Sequence, residues 1–190
     1  MWATMVMMSC ALAQKKERHK ELQKAKAIAE ELKALLEPVC QRVVIAGSIR
    51  RQKPEVGDIE LLCIPKFIDG VDQLDREIGA LVIQGRLGFR LNKRGSRAYG
   101  PKNKLMLHIP SGIGVDIFST DLGCWPVALV VRTGSAETNK RIAMAAIRKG
   151  WHLKAYGSGF STPQGDVVCK SERDVFGLVG LPYLPPEQRE

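Results

Sequence analysis

The sequence predicts an α+β fold, a mixed β-sheet with helices followed by a small α/β C-terminal lobe, and three observations predict it. Residues 11–37 hold no Pro or Gly and repeat apolar side chains at helical spacing. Short apolar runs at 42–46, 58–64, 105–109 and 113–118 have the length and punctuation of strands. Beyond Asp121 the texture turns helical again, so a lobe boundary is placed near residue 120, with 1–120 as one unit and 121–190 as the other.

In the first helix Leu22, Ala25, Ile28, Ala29, Leu32, Leu35 and Leu36 mark the buried face, and Pro38 stops it. The early charges KKERHK at 15–20, with Lys24 and Lys26, read as a solvated face or as a DNA contact. Residues 42–46 form a strand ended by Gly47-Ser48, and 49–52 a helical turn. The second strand, 58–64, stops at Pro65. Residues 69–85 form a helix with Val71, Leu74, Ile78, Leu81 and Val82 against the sheet. Residues 86–104, polar and basic, read as a loop or weak edge strand, and Pro110-Ser111-Gly112 joins two further strands. The last unit has a helix over 124–131, a Thr-Gly-Ser turn at 133–135, a helix over 139–149, and short strands around Gly157 and Gly165.

A chain of 190 residues with 45% hydrophobic content can bury a core. No stretch reaches the roughly 18 apolar residues of a membrane span, and residues 1–12 lack the basic start of a secretory signal, so no membrane partner and an intracellular location are expected. The net charge of +9 suits a phosphate-rich partner without deciding for one. Cys10, Cys40, Cys63, Cys124 and Cys169 form no C-x-x-C pair and read as buried thiols. His19, His108 and His152 lack metal-ligand spacing, and the glycines at 157–160 do not complete a dinucleotide fingerprint. An aromatic content of 6% speaks against a base-stacking platform for single strands.

Asp58 and Glu60 are two apart on one strand and share a face, while Asp116 lies among apolar neighbours on another. A carboxylate there is costly unless it binds a metal, pairs with a base or borders a cleft. Three such groups on adjacent strands would supply oxygen ligands for two Mg²⁺ ions about 3.5–4 Å apart. The other reading makes Asp58 and Glu60 edge-strand polar residues and pairs Asp116 with an arginine. Gly47-Ser48 and Arg50-Arg51, just upstream, favour the first, because amides, a hydroxyl and guanidinium groups there can hold phosphate oxygens.

The run AGSIRRQKPEVGDIELLCIP at 46–65 resembles the nucleotidyltransferase signature, and most closely that of the family X (beta-like) DNA polymerases. VDIF at 115–118, the segment 130–157 and the tail 177–190 extend the likeness in the same order. The resemblance implies a nucleotidyltransferase palm followed by a nucleotide-selecting lobe. It implies Asp58, Glu60 and Asp116 as catalytic ligands of two Mg²⁺ ions, with Mn²⁺ as a substitute. Gly47, Ser48, Arg51, Gly57, Arg132, Thr133, Gly134 and Asn139 would bind the incoming deoxynucleoside triphosphate, and Arg50 is their neighbour. Lys140 would lie at the template base, and Arg94, Arg97 and Lys102, from a cluster that also holds Arg86, Arg90, Lys93 and Lys104, would grip duplex DNA.

The activity implied is short-gap, primer-extending DNA synthesis by a monomer, on primer–template or gapped DNA, with pyrophosphate released and a repair role. A minimal form is implied, since too few residues precede the first strand for the family's lyase domain. Glu60 replaces the more usual aspartate, Val131-Arg132 an aromatic pair beneath the sugar, Ala143 an arginine at the template strand and Ala155 an acid used in closure. The rival functions are a template-independent, RNA or small-molecule nucleotidyltransferase, and a non-catalytic nucleic-acid-binding module.

Overall fold

The computed structural model describes residues 21–91 and 94–190. The expectations for residues 1–20, including Cys10, His19 and the 15–20 charges, and for Lys93 lie outside the described residues. Helix α1 occupies 21–36 and β1 is Cys40–Ile45. After α2 (Gly47–Arg50) come β2 (Asp58–Pro65), the short strands β3 (Phe67–Ile68) and β4 (Val71–Asp72), and α3 (Gln73–Ile83). Strands β5 (Leu87–Phe89), β6 (Asn103–His108) and β7 (Ile113–Ser119) complete a five-stranded sheet of order β1-β2-β7-β6-β5. Only β2 and β7 of these pair in parallel, which makes the sheet mixed as expected.

Strand alternation divides the sheet into a core face and an open face. Ile59, Leu61 and Cys63 of β2, with Val115 and Ile117 of β7 and Met106 of β6, are buried under Ala25, Ala29, Leu32 and Leu36 of α1 and Leu74, Ile78 and Leu81 of α3. On the opposite face Leu62, Ile64 and Phe118 pack against Trp125, Ala128 and Leu129 of α4 (Trp125–Thr133). Because α4 covers only the Pro65 end of β2, the Asp58 end of that face stays open.

The remaining elements are α5 (Ala136–Arg148), β8 (His152–Leu153), β9 (Gly159–Thr162), β10 (Gly165–Val168) and α6 (Glu172–Gly177). Val127 and Val130 of α4, Ile142 and Ala146 of α5, Phe160, Val175 and Phe176 form their own buried cluster. No helix among the described residues is long and apolar enough to cross a membrane.

Several local expectations are corrected. Val71 is not on the helix: Asp69 and Gly70 take left-handed φ of 50° and 77°, turning β3 back on β4, and Asp72 then caps α3 by accepting from Leu74 N–H at 2.9 Å. Residues 86–104 hold β5 and the start of β6. Thr133 belongs to α4, and α5 begins three residues before Asn139 because Ser135 accepts the Thr138 N–H. Strand β8 and helix α6 were not anticipated. A two-residue strand carries no periodicity to read, and α6 is announced only by the Ser171–Asp174 capping box.

Candidate active site

Two rows of side chains cross the open face of the sheet. Glu60 stands opposite Asp116 in the β2–β7 pairing and Asp58 opposite Gly114. The β6–β7 pairing extends these rows to Leu105 and Leu107. Arg90, just past β5, donates its N–H to the Leu105 carbonyl at 3.1 Å. One row therefore reads Arg90, Leu105, Asp116, Glu60, and the next Leu107, Gly114, Asp58. The alternating partners Ile59, Leu61, Val115 and Ile117 anchor both strands from the other side.

The setting makes ionisation of Glu60 and Asp116 costly. Burial pushes Glu60 up to about 7, and the charges of Asp58 and Asp116 push the same way against Arg51 and Arg132. Burial also raises Asp116, opposed by the Arg90 guanidinium, which pairs with its Oδ1. The arginine partner that the sequence left open is thus present. As the side chains stand, no three His, Cys, Asp or Glu groups among the described residues are gathered to hold an ion. Arg90 occupies Asp116, and Glu60 folds over Gly47. The donors are nevertheless hard oxygens, the ligand type that suits a Mg²⁺-type cation.

Gly47 opens α2 with φ +60°, and a Cβ on it would overlap the Glu60 carboxyl, 2.6 Å from Cδ. Glycine is needed here for both its backbone and its empty space. Ser48 Oγ and Arg51 Nε are buried without a hydrogen-bond partner among the described residues, which leaves two donors for a phosphate oxygen. Arg51 Nη1 donates to the Thr133 carbonyl, beside Gly134. Gly57 has open space where a Cβ would stand. The turn, the carboxylates and the end of α4 therefore meet at one place.

Arg50 is committed elsewhere. It donates to both oxygens of Glu172 at 3.0 and 2.8 Å and to Thr133 Oγ1 at 2.5 Å, and Glu172 also accepts from buried Arg189 at 3.0 Å. Arg132 stacks on Phe118, 3.7 Å from the ring centroid, and lies 5.2 Å from that of Tyr156. Asn139 Nδ2 donates to the Val131 carbonyl at 2.8 Å, and its buried Oδ1 has no hydrogen-bond partner among the described residues. Lys140 is exposed on α5.

Residues 128–190 match the family model of the DNA polymerase beta thumb. DNA polymerase lambda of Rattus norvegicus is 28% identical over 163 residues, covering 77% of this chain and 28% of that protein. The chain thus spans less than a third of the length of this curated relative. Polymerase beta of Leishmania infantum, in a ternary P/T complex, superposes with a TM-score of 0.72 at 23% identity, covering 89% of this chain and 76% of that one. The ternary gap complex of the same protein gives 0.73 at 22% identity, covering 89% and 70%. In sequence the chain is similar to DNA polymerase lambda and the polymerase beta thumb, and its fold is that of polymerase beta.

The fold also sorts the basic cluster. Lys104 is fully buried and cannot reach DNA: its Nζ meets Pro101 O at 3.2 Å, Ser119 Oγ at 3.3 Å and Asp75 at 3.3 Å. Arg86 pairs with Glu31 and Arg90 with Asp116. Arg94, Arg97 and Lys102 are exposed, Arg97 lying over Phe89 and Lys102 over Tyr156. The residues that sequence reasoning missed at this candidate site are Arg90 as a carboxylate partner and Glu172 as the anchor of Arg50. For Arg90 the available signal was Gly114, a glycine two residues before Asp116 on the same face of a strand.

Proposed function

We propose that the chain is a DNA-directed DNA polymerase that extends a primer 3′-hydroxyl across short gaps in DNA. One observation carries this reading: Asp58, Glu60 and Asp116 share the uncovered end of one sheet face, beside the Gly47–Ser48 turn and the thumb. In this reading residues 1–120 form the N-terminal helix and palm, and 121–190 the nucleotide-selecting lobe of a monomer.

Asp58, Glu60 and Asp116 would hold two Mg²⁺ ions, or Mn²⁺, which would supply positive charge against the negative charge that develops during phosphoryl transfer. Ser48 Oγ and Arg51 bind the triphosphate through donors that are otherwise unpartnered. Gly47 and Gly57 let phosphates approach the backbone, and Thr133-Gly134 supports the sugar and base. Asp116 draws the proton from the primer 3′-hydroxyl. The 3′-oxygen then attacks the α-phosphorus in line, and pyrophosphate departs. Asn139 turns its amide from Val131 toward the minor-groove edge of the base, Arg132 lines the sugar side, and Lys140 meets the template. Arg94, Arg97 and Lys102 hold the duplex.

Primer extension tests this, comparing templated with untemplated primers and each deoxynucleotide with its ribonucleotide. Asp58→Ala and Asp116→Ala are expected to lose at least about 1,000-fold in rate. Unchanged extension by both would overturn the assignment, and template-free addition would move it to a terminal transferase.

A further inference from the structure

Gly114 precedes Asp116 by two residues on β7, so both face the open side of the sheet. No left-handed φ requires glycine there, yet a Cβ would overlap Nη1 of Arg90 and lie 3.3 Å from its Cζ. The missing side chain leaves a gap that the guanidinium fills on its way to Asp116. Arg90 comes from beyond the opposite edge of β6, and its side chain is 29% accessible, against 15% for Asp116. The pair is thus an internal ion pair with one long, solvent-reachable arm.

A guanidinium on Asp116 competes with any other cation for that carboxylate. The same group is well suited to a phosphate, which it can engage through two parallel hydrogen bonds. The proposed polymerase reading, on which this step rests, brings the primer 3′-end and its phosphates past Asp116. We infer that Arg90 is a positioning residue that exchanges between Asp116 and a phosphate of the bound DNA strand. DNA binding thereby frees Asp116 for a divalent cation. By linkage, the factor by which DNA tightens cation binding equals the factor by which the cation tightens DNA binding. Without DNA, Arg90 keeps the carboxylate neutralised and the cation weakly held.

The test is Mn²⁺ binding to the full chain, followed by electron paramagnetic resonance with and without a dideoxy-terminated primer–template duplex. In the wild type the duplex is expected to tighten Mn²⁺ by about 10-fold, a usual size for coupled sites. Arg90→Gln is expected to bind Mn²⁺ more tightly without DNA and to gain less than about 2-fold from the duplex. Arg90→Lys should retain part of the coupling. Gly114→Ala should behave like Arg90→Gln with every charge still present, because the methyl group displaces only the end of a flexible side chain. Wild-type coupling in both Arg90→Gln and Gly114→Ala would overturn the inference while leaving the polymerase reading intact. If Asp116→Ala binds Mn²⁺ as the wild type does, the carboxylates are not the cation site, and both readings fall together.

Discussion

The Glu60 carboxyl lies over Gly47 so closely that a methyl group there would stand 2.6 Å from Glu60 Cδ. Gly47 also has φ +60°, which costs an L-residue about 1–2 kcal/mol. Gly47→Ala should therefore lower the melting temperature by roughly 2–8 °C. Displacing Glu60 and the adjacent turn should cut primer extension by about 100-fold, comparable to losing one group that stabilises the transition state. Melting and extension on the same sample check this. Wild-type extension by a folded Gly47→Ala would show that the position of Glu60 is irrelevant to turnover.

Glu60 makes the stability of the cation-free protein depend on pH. Its carboxyl is raised from 4.5 to about 7, so between those values the folded state binds more protons than the unfolded one. Stability should fall as pH rises through that window, by up to about 3 kcal/mol. Glu60→Gln should remove most of the fall, melting above the wild type at pH 8 and close to it at pH 4, while losing extension. Thermal unfolding at the two pH values without divalent cations checks the sign. A wild type more stable at pH 8 than at pH 5, with Glu60→Gln showing no gain, would contradict it.

The carboxylates were legible because strand alternation is local: D-x-E opening an apolar run places both acids on one face whatever the rest of the fold does. The paired strands and α3 were legible for the same reason. Lys104 was not. Its neighbours Lys102 and Arg97 are exposed, and only the β6 alternation, with Met106 and His108 also turned inward, separates it from them. Arg50 looked like a phosphate ligand because its partner Glu172 lies 122 residues away, beyond any local pattern. Arg90 was grouped by composition with duplex-binding residues, whereas its contact depends on the order in which β5, β6 and β7 pair.

Lys104 and Lys102 are expected to separate stability from DNA binding. Lys104 is fully buried on three oxygen partners, so Lys104→Met should cost roughly 1–3 kcal/mol and leave the salt dependence of DNA binding unchanged. Lys102→Ala and Arg97→Ala should leave the melting temperature unchanged and each reduce the log–log salt slope by about 1, the loss of one phosphate contact. Fluorescence anisotropy with a labelled gapped duplex over a salt series checks this. A reduced slope for Lys104→Met would mean that the side chain reaches DNA after all.

Glu172 is the hinge of a buried ion-pair set that joins the α2 turn to the C-terminal segment. It accepts from Arg50 and from Arg189, whose side chain is fully buried and whose Nη2 has no hydrogen-bond partner among the described residues. Burial alone would raise the Glu172 carboxyl, but the hydrogen bonds and charge of Arg50, then Arg189, hold it below its usual value. That stability is present above about pH 4.5 and is lost as pH falls through the lower folded value. Glu172→Gln should therefore lose about 3–5 kcal/mol at pH 7, since it strands a buried guanidinium, and its further loss on acidification should be smaller than that of the wild type. Replacing Arg189 as well, in Glu172→Gln/Arg189→Met, should recover part of the loss, because the stranded charge is then gone. Urea unfolding at pH 7 and pH 4 reads all three proteins. If the double variant is no more stable than Glu172→Gln, the cost comes from freeing Arg50 and loosening α2 rather than from Arg189.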